Sequence, residues 1–349
     1  MFSLSMWLSW GRVNSAGDIG NYWPAGQKHA GVSLQMRPGK ENHGGNVTKG
    51  VTPPPISLIT LSRDNPDELL KTVRSVYHQS LFPTTYVVVD SSSEELKPRM
   101  QHIAEAGGAR YVWIQPEGIY PAMVRSLDLV PQESYVWWIN SSDWLAGADS
   151  VREASTHLSN NPPGHVSWLV GQLIRLKDGR ASFHDSGFEG SRFVRRMKTG
   201  RIGFPHPATV FWLPHLREVN PFADGLKVAS DYATALRFAE KFGDPEMLAM
   251  PLSVHLPIGF SANRPVQNIL EKARARWSVS SGANKTLEPF RTISNAGRGV
   301  WNLMAKNPGG PAGLAFSIFP LVPNSHFCAS SDYLVWSGCC DEVLETPFT

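Results

Sequence analysis

The sequence predicts an α/β protein, a Rossmann-like and mostly parallel sheet flanked by helices, with an α+β extension behind it. Residues 56–139 alternate four short β-prone runs with helical patterns, which is how a layered parallel sheet is written. Two of those runs, Tyr86-Val87-Val88-Val89 and Tyr135-Val136-Trp137-Trp138-Ile139, are apolar at consecutive positions, as strands covered on both faces are. The 349 residues, 42% hydrophobic and 18% charged, suffice to bury a sizeable core.

Each element has a local reason. Ile56–Leu61 is the first strand; Asp64-Asn65-Pro66-Asp67-Glu68 then supplies a cap, a first-turn proline and acids at the positive end of a helix. Leu69, Leu70, Val73, Val76 and Tyr77 recur at helical spacing on that helix. The second strand ends at Asp90. A helix over Glu94–Ala106, a strand over Arg110–Ile114, a helix over Tyr120–Leu129 and a strand over Tyr135–Ile139 follow. The extension holds strands near Val166–Arg175, Ala208–Leu213 and Met247–His255, with a helix near Tyr232–Phe242; helix-like Asn268–Trp277 lies in the basic stretch after it. Residues 1–52 read as a poorly ordered arm ending in a proline run, 53–265 as the main domain, and 266–349 as an appendage: a basic helix, then a Gly/Pro-rich tail.

Composition excludes several classes. A formal net charge of +3 is too small to make nucleic acid the main partner. The three cysteines, Cys328, Cys339 and Cys340, leave the long N-terminal part without crosslinks, and the adjacent pair lacks a zinc-binding spacer, so they read as ordinary thiols. The N-terminus lacks the basic and apolar blocks of a secretory signal, and no window reaches the ~20 apolar residues of a membrane span; Leu314–Val322 is too short and holds Pro320. The expectation is a cytoplasmic, soluble protein, at most peripheral at the inner face of the plasma membrane.

In a doubly wound sheet, ligands bind beyond the carboxyl ends of the strands. The polar residues there are Ser62-Arg63-Asp64, Asp90, Gln115-Pro116-Glu117 and Asn140-Ser141-Ser142-Asp143. Neither a Gly-x-Gly-x-x-Gly nor a Gly-x-x-x-x-Gly-Lys-Ser/Thr cradle is present. Phosphate bound here would need another neutraliser, and Mn²⁺ or Mg²⁺ held by Asp143 with substrate oxygens is the obvious substitute. The alternative role for Asp143 is a turn residue capping the following helix.

Residues 56–262 resemble the family 2 glycosyltransferases of the GT-A fold, in particular the branch carrying Gly-Ile-Tyr-x-Ala-Met, here Gly118-Ile119-Tyr120-Pro121-Ala122-Met123. Ile56–Thr60, the strand ending at Asp90, Ile139–Leu145, Pro205–Phe211 with His206, Val228–Tyr232 with Asp231, and Ile258–Ser261 follow in the family's order. The resemblance implies an inverting, metal-dependent transfer of a sugar from a nucleotide-diphosphate donor to an acceptor hydroxyl, on a glycan or lipid-linked acceptor in surface polysaccharide synthesis. The extension would then face the acceptor. Ser62, Asp64, Asp90, Gly118, Tyr120, Asn140 and Asp143 would bind donor, Asp143 the metal. Asp231 would be the general base, and His206 would position the acceptor or the diphosphate. Pro121, Val124 and Asn140 depart from the family's Asp, Asn and Asp, which motivates the rival reading of a catalytically silent sugar-nucleotide or glycan binding module.

Further features have two readings each. Ser191–Arg201, with five basic residues and no acid, is a loop closing on phosphates or a solvated face. The basic stretch from Arg264 to Arg298, with Trp277 and Trp301, is a candidate contact with an anionic membrane. Trp137 and Trp138 belong to the core, and Trp144 is either core or a stacking surface.

Overall fold

Valine and isoleucine at consecutive positions make the first strands the centre of one sheet. In the computed structural model, which describes residues 53–177, 180–184, 189–257, 264–280 and 294, Ile56–Ser62 (β1) lies between Thr85–Asp90 (β2) and Tyr135–Trp138 (β4), parallel to both. Arg110–Trp113 (β3) continues the parallel set beyond β2. The period-two alternation of these strands divides the interior into two cores. Ile59, Leu61, Val87, Val89, Val136 and Trp138 enter one; Ile56, Leu58, Tyr86, Val88, Tyr135 and Trp137 enter the other. Both tryptophans are fully buried.

Helices cover each face. Pro66–Tyr77 (α1), Lys97–Ala106 (α2) and Ser150–Ser159 (α4) pack on the second core; Ile119–Ser126 (α3), Gly190–Lys198 (α5), Leu213–Glu218 (α6) and Ser230–Phe242 (α7) pack on the first. The α1 start follows its sequence signals: Asn65 is the N-cap, its side chain accepting the Glu68 N–H, and Pro66 opens the first turn. Pro265–Val279 (α8) packs on α7 and buries Ala275 and Arg276.

The second half extends the sheet in mixed directions. Thr209–Trp212 (β8) runs antiparallel to β4 and to Trp168–Lys177 (β6). Glu246–His255 (β9) is parallel to β6, while Asp143–Leu145 (β5) is antiparallel to β9 at the far edge, and Arg180–His184 (β7) forms a hairpin with β6. The order is β3-β2-β1-β4-β8-β6-β9-β5, with β7 on β6. The β6/β9 register shifts around Gly171 and Gln172, where a Cβ on Gly171 would meet the Leu252 side chain at 2.4 Å. Only glycine permits that approach.

The structure moves some expected boundaries. The second helix begins at Lys97 rather than Glu94, because Pro98 belongs in a first turn and Ser93–Leu96 form the preceding turn. Ser191–Arg201 is neither a loop nor a wholly solvated face: most of it is α5, which buries Phe193, Val194 and Met197 and turns its basic residues elsewhere. Asp143 does not cap the next helix; it opens β5, and Asp149 stands at the N-cap of α4. Among the described residues no helix is long and apolar enough to cross a membrane. The three cysteines, the N-terminal arm through residue 52, Ile258–Ser261, Trp301 and Leu314–Val322 lie outside the described residues.

Candidate active site

The loops after β1 and β2 are tied into one network. Asp90 ends β2 fully buried; its Oδ1 accepts the N–H and hydroxyl of Ser92, at 3.2 and 2.6 Å, and its Oδ2 accepts the Tyr111 hydroxyl at 2.8 Å. Ser92 Oγ in turn accepts the Asp64 N–H at 2.7 Å, and Asp64 Oδ1 accepts the Ser93 N–H at 2.8 Å. Asp64 holds a left-handed φ of 52°, which an aspartate tolerates through such local bonds. Its side chain remains 45% exposed, so Asp64 offers the accessible carboxylate while Asp90 braces the loop. The Tyr111 phenol is pushed well above its ordinary range by burial and by its bond to Asp90. Ser62 lies under the same rim, its hydroxyl buried and without a hydrogen-bond partner among the described residues.

The loop after β4 builds the second cluster. Ser142 adopts a left-handed φ of 90° and swings the chain from β4 into β5. Asp143 is thereby 5% exposed and sits directly opposite His255 in the antiparallel β5/β9 register, with Oδ1 2.7 Å from His255 Nδ1. The Thr72 hydroxyl of α1 donates to the Asp143 carbonyl at 2.6 Å and fixes that backbone. Asn140 Oδ1 is buried with no partner among the described residues. Among the described residues no group of three His, Cys, Asp or Glu side chains is assembled to hold a metal alone. The Asp143 carboxylate and the His255 imidazole are nevertheless donor types that Mn²⁺ accepts when substrate oxygens complete the shell, and the orphaned Asn140 oxygen belongs to the same loop.

A third cluster brings in the other half of the chain. His206 is 6% exposed, stacked on Trp138 at 5.6 Å, and its Nε2 is buried without a partner among the described residues. Burial lowers its pKa against the opposing pull of Asp231 and Asp143, with His255 adding repulsion. His206 thus feels the charges of Asp143, His255 and Asp231, and its burial favours the neutral imidazole. Asp231, in the first turn of α7, accepts the Tyr120 hydroxyl at 3.2 Å, and the Tyr120 ring stacks on Phe222 at 5.6 Å. Burial first, then the Asp231 charge, holds the Tyr120 phenol protonated far above its ordinary range. Gly118, with φ of 119°, is the N-cap of α3, a conformation that suits glycine and aims Tyr120 inward.

The approach to Asp231 is held by two carboxylates. Asp224 accepts the Ser230 hydroxyl at 2.6 Å and the Arg237 guanidinium at 3.0 Å. Glu271 on α8 accepts the N–H groups of Lys227, Val228 and Ala229 at 3.2, 2.7 and 3.0 Å.

The structure thus joins Tyr120 to Asp231 and Asp143 to His255, with His206 under the influence of both carboxylates, while Ser62, Asp64 and Asp90 stand in the neighbouring loop pair. Pro121 and Val124 lie exposed on α3. Sequence reasoning missed His255, Tyr111, Ser92 and Glu271. His255 was within reach: it ends an apolar strand run, the position that singled out Asp90.

No family model matches the chain. A curated relative, an uncharacterized glycosyltransferase of Mycobacterium tuberculosis, is 26% identical over 189 residues, 53% of this chain and 69% of the relative. Among solved structures, residues 1–349 of S. aureus TarS in complex with UDP superpose with a TM-score of 0.52 at 14% identity, covering 72% of this chain and 73% of that one. Against the longer TarS chain the TM-score is 0.51 at 14% identity, and the match spans 70% of this chain but 43% of TarS. A mannosyltransferase from Pyrobaculum calidifontis, in complex with GDP-Man and Mn²⁺, gives 0.50 at 14% identity over 76% of this chain and 79% of that one. The chain thus shares the fold of the GT-A glycosyltransferases and is similar in sequence to a relative named as a glycosyltransferase.

Proposed function

We propose that the protein transfers a sugar from a nucleotide-diphosphate donor to an acceptor hydroxyl with inversion at the anomeric carbon. The observation that supports this reading is the Asp143–His255 pair, 2.7 Å apart, with the buried His206 near enough to that pair and to Asp231 for all three charges to act on it. Asp64 and the loop braced by Asp90 receive the base and ribose, with Ser62, Gly118 and Asn140 along the donor's path. Asp143 and His255 would hold Mn²⁺ or Mg²⁺, which would supply positive charge to offset that of the leaving diphosphate. Asp231 takes the proton of the acceptor hydroxyl as its oxygen bonds to the anomeric carbon and the carbon–oxygen bond to the diphosphate breaks. Tyr120 fixes the attitude of Asp231. His206, made a weaker base by its burial, donates one hydrogen bond to the bound substrates or accepts one from them.

The family resemblance extends the acceptor to a growing glycan or lipid-linked saccharide of a surface polysaccharide. Val266, Leu270 and Trp277, exposed on one face of α8, support a peripheral contact with the membrane that would carry it.

The test is donor turnover. With Mn²⁺ present, the full chain is offered UDP-GlcNAc and GDP-Man separately and nucleoside diphosphate release is followed. Asp143→Ala and Asp231→Asn are each expected to lower release about 100-fold or more. Binding without release by the wild type, across a donor panel, would instead identify a binding module.

A further inference from the structure

We propose that Phe222 is a positioning residue of the cleft: a wedge, held in a strained turn, that seats the Tyr120 hydroxyl against Asp231. This rests on the transferase reading and adds to it a residue that touches no substrate.

The turn between α6 and α7 takes a backbone its sequence does not favour. Asn220 has φ of 47° and Phe222 φ of 61°, both left-handed. Asparagine tolerates that region, but a phenylalanine there crowds its own backbone and persists only where its surroundings over-determine it. Here α7 does so. The Phe222 N–H donates to Thr234 Oγ1 at 2.9 Å, while Arg237 donates to the Asn220 carbonyl at 3.4 Å and to the Asp224 carboxylate at 3.0 Å. Thr234 lies one helical turn beyond Asp231 on α7, so the turn is indexed to the helix that carries the proposed base.

The ring shows what the strained backbone serves. It is buried and stacks on the Tyr120 ring, with centroids 5.6 Å apart and planes 16° from parallel, and it meets the Trp138 indole edge-on at 5.7 Å and 81°. Tyr120 gives its hydroxyl to Asp231 at 3.2 Å, and Trp138 stacks on His206 at 5.6 Å. One ring therefore lies against the aromatic supports of both Asp231 and His206. Filling a core needs no left-handed phenylalanine, whereas aiming a ring between two fixed planes does. A smaller side chain lets the Tyr120 ring retreat and lengthens its bond to Asp231.

The experiment is a double-mutant cycle on the full chain. Nucleoside diphosphate release with Mn²⁺ is measured over a panel of UDP- and GDP-sugars that includes UDP-GlcNAc and GDP-Man, for wild type, Phe222→Leu, Tyr120→Phe and the double variant. Phe222→Leu is expected to lower kcat about tenfold with donor KM unchanged. In a chain that already lacks the Tyr120 hydroxyl it should cost almost nothing further, so the double variant falls about tenfold rather than about a hundredfold. Losses that multiply, or a raised KM with kcat intact, overturn the positioning role.

The strain is read without turnover, by urea unfolding. Phe222→Gly should be more stable than Phe222→Ala by about fivefold in the unfolding constant, because glycine accepts the left-handed backbone. Alanine as stable as glycine overturns the wedge. Wild type that turns over no donor of the panel refutes the transferase reading and the positioning role with it; wild-type turnover beside multiplied losses refutes the positioning role alone.

Discussion

Replacing Glu271 with alanine tests whether α8 holds the proposed base in place. The carboxylate accepts three consecutive backbone N–H groups, of Lys227, Val228 and Ala229, immediately before α7, and Asp231 stands two residues further on. Each bond to an ionised acceptor is worth about 1.5–3 kcal/mol in a closed setting, but Lys227 is exposed and water replaces part of the loss, so the net cost is about 2 kcal/mol. Glu271→Gln keeps a neutral acceptor and should cost about half as much. Burial would raise the Glu271 pKa, yet the backbone N–H groups and Gln267 outweigh it and hold the group below its ordinary 4.5. A depressed carboxylate stabilises the fold above its unfolded value and loses that contribution as pH falls through its folded one. The wild-type advantage over Glu271→Gln should therefore be full at pH 7, begin to shrink as pH falls past 4.5 and vanish only beneath the lower folded value. Urea unfolding and donor turnover, measured on the same samples, check this, and turnover should fall more steeply than stability because Asp231 loses its bearing. Alanine within about 0.5 kcal/mol of wild type, with turnover intact, would refute the positioning argument.

Three other outcomes are expected. Tyr120→Phe removes the hydroxyl given to Asp231 but keeps the stack on Phe222, so kcat should drop about tenfold with donor KM unchanged, as steady-state kinetics would show. His206 has a pKa below its ordinary 6.5, chiefly through burial, so the unfolded chain binds a proton the folded one does not; melting temperature should fall as pH drops through 6.5, and less so in His206→Gln. Gly171→Ala forces a methyl onto Leu252 at the β6/β9 shift, and should cost about 2 kcal/mol in a denaturant titration.

The parallel half of the fold was legible because its signals are local: buried runs of valine and isoleucine, a capped α1, and strand ends marked by Asp90 and Asn140. The mixed half was harder to read. β5 is three residues long and gains its identity only from β9, and α5 looked like a charged surface until its Phe193, Val194 and Met197 found a core. The site divides along the same line. Asp143 and Asp231 stood out as polar residues placed by a strand end and by a family segment. Glu271 comes from an element whose neighbours are set by tertiary packing, and no spacing in the chain announces it. The burial of Asp90 was equally invisible, since its partners Ser92 and Tyr111 belong to separate strand ends.

Asp143 faces His255 because two antiparallel strands bring them abreast, not because a contiguous string of residues encodes the pair. In the proposed metal role, ion preference would be a property of this rung of the ladder. Exchanging that rung for another ligand combination would retune which cation is admitted while leaving every loop of the cleft untouched, and a one-residue slip of either rail would abolish admission altogether.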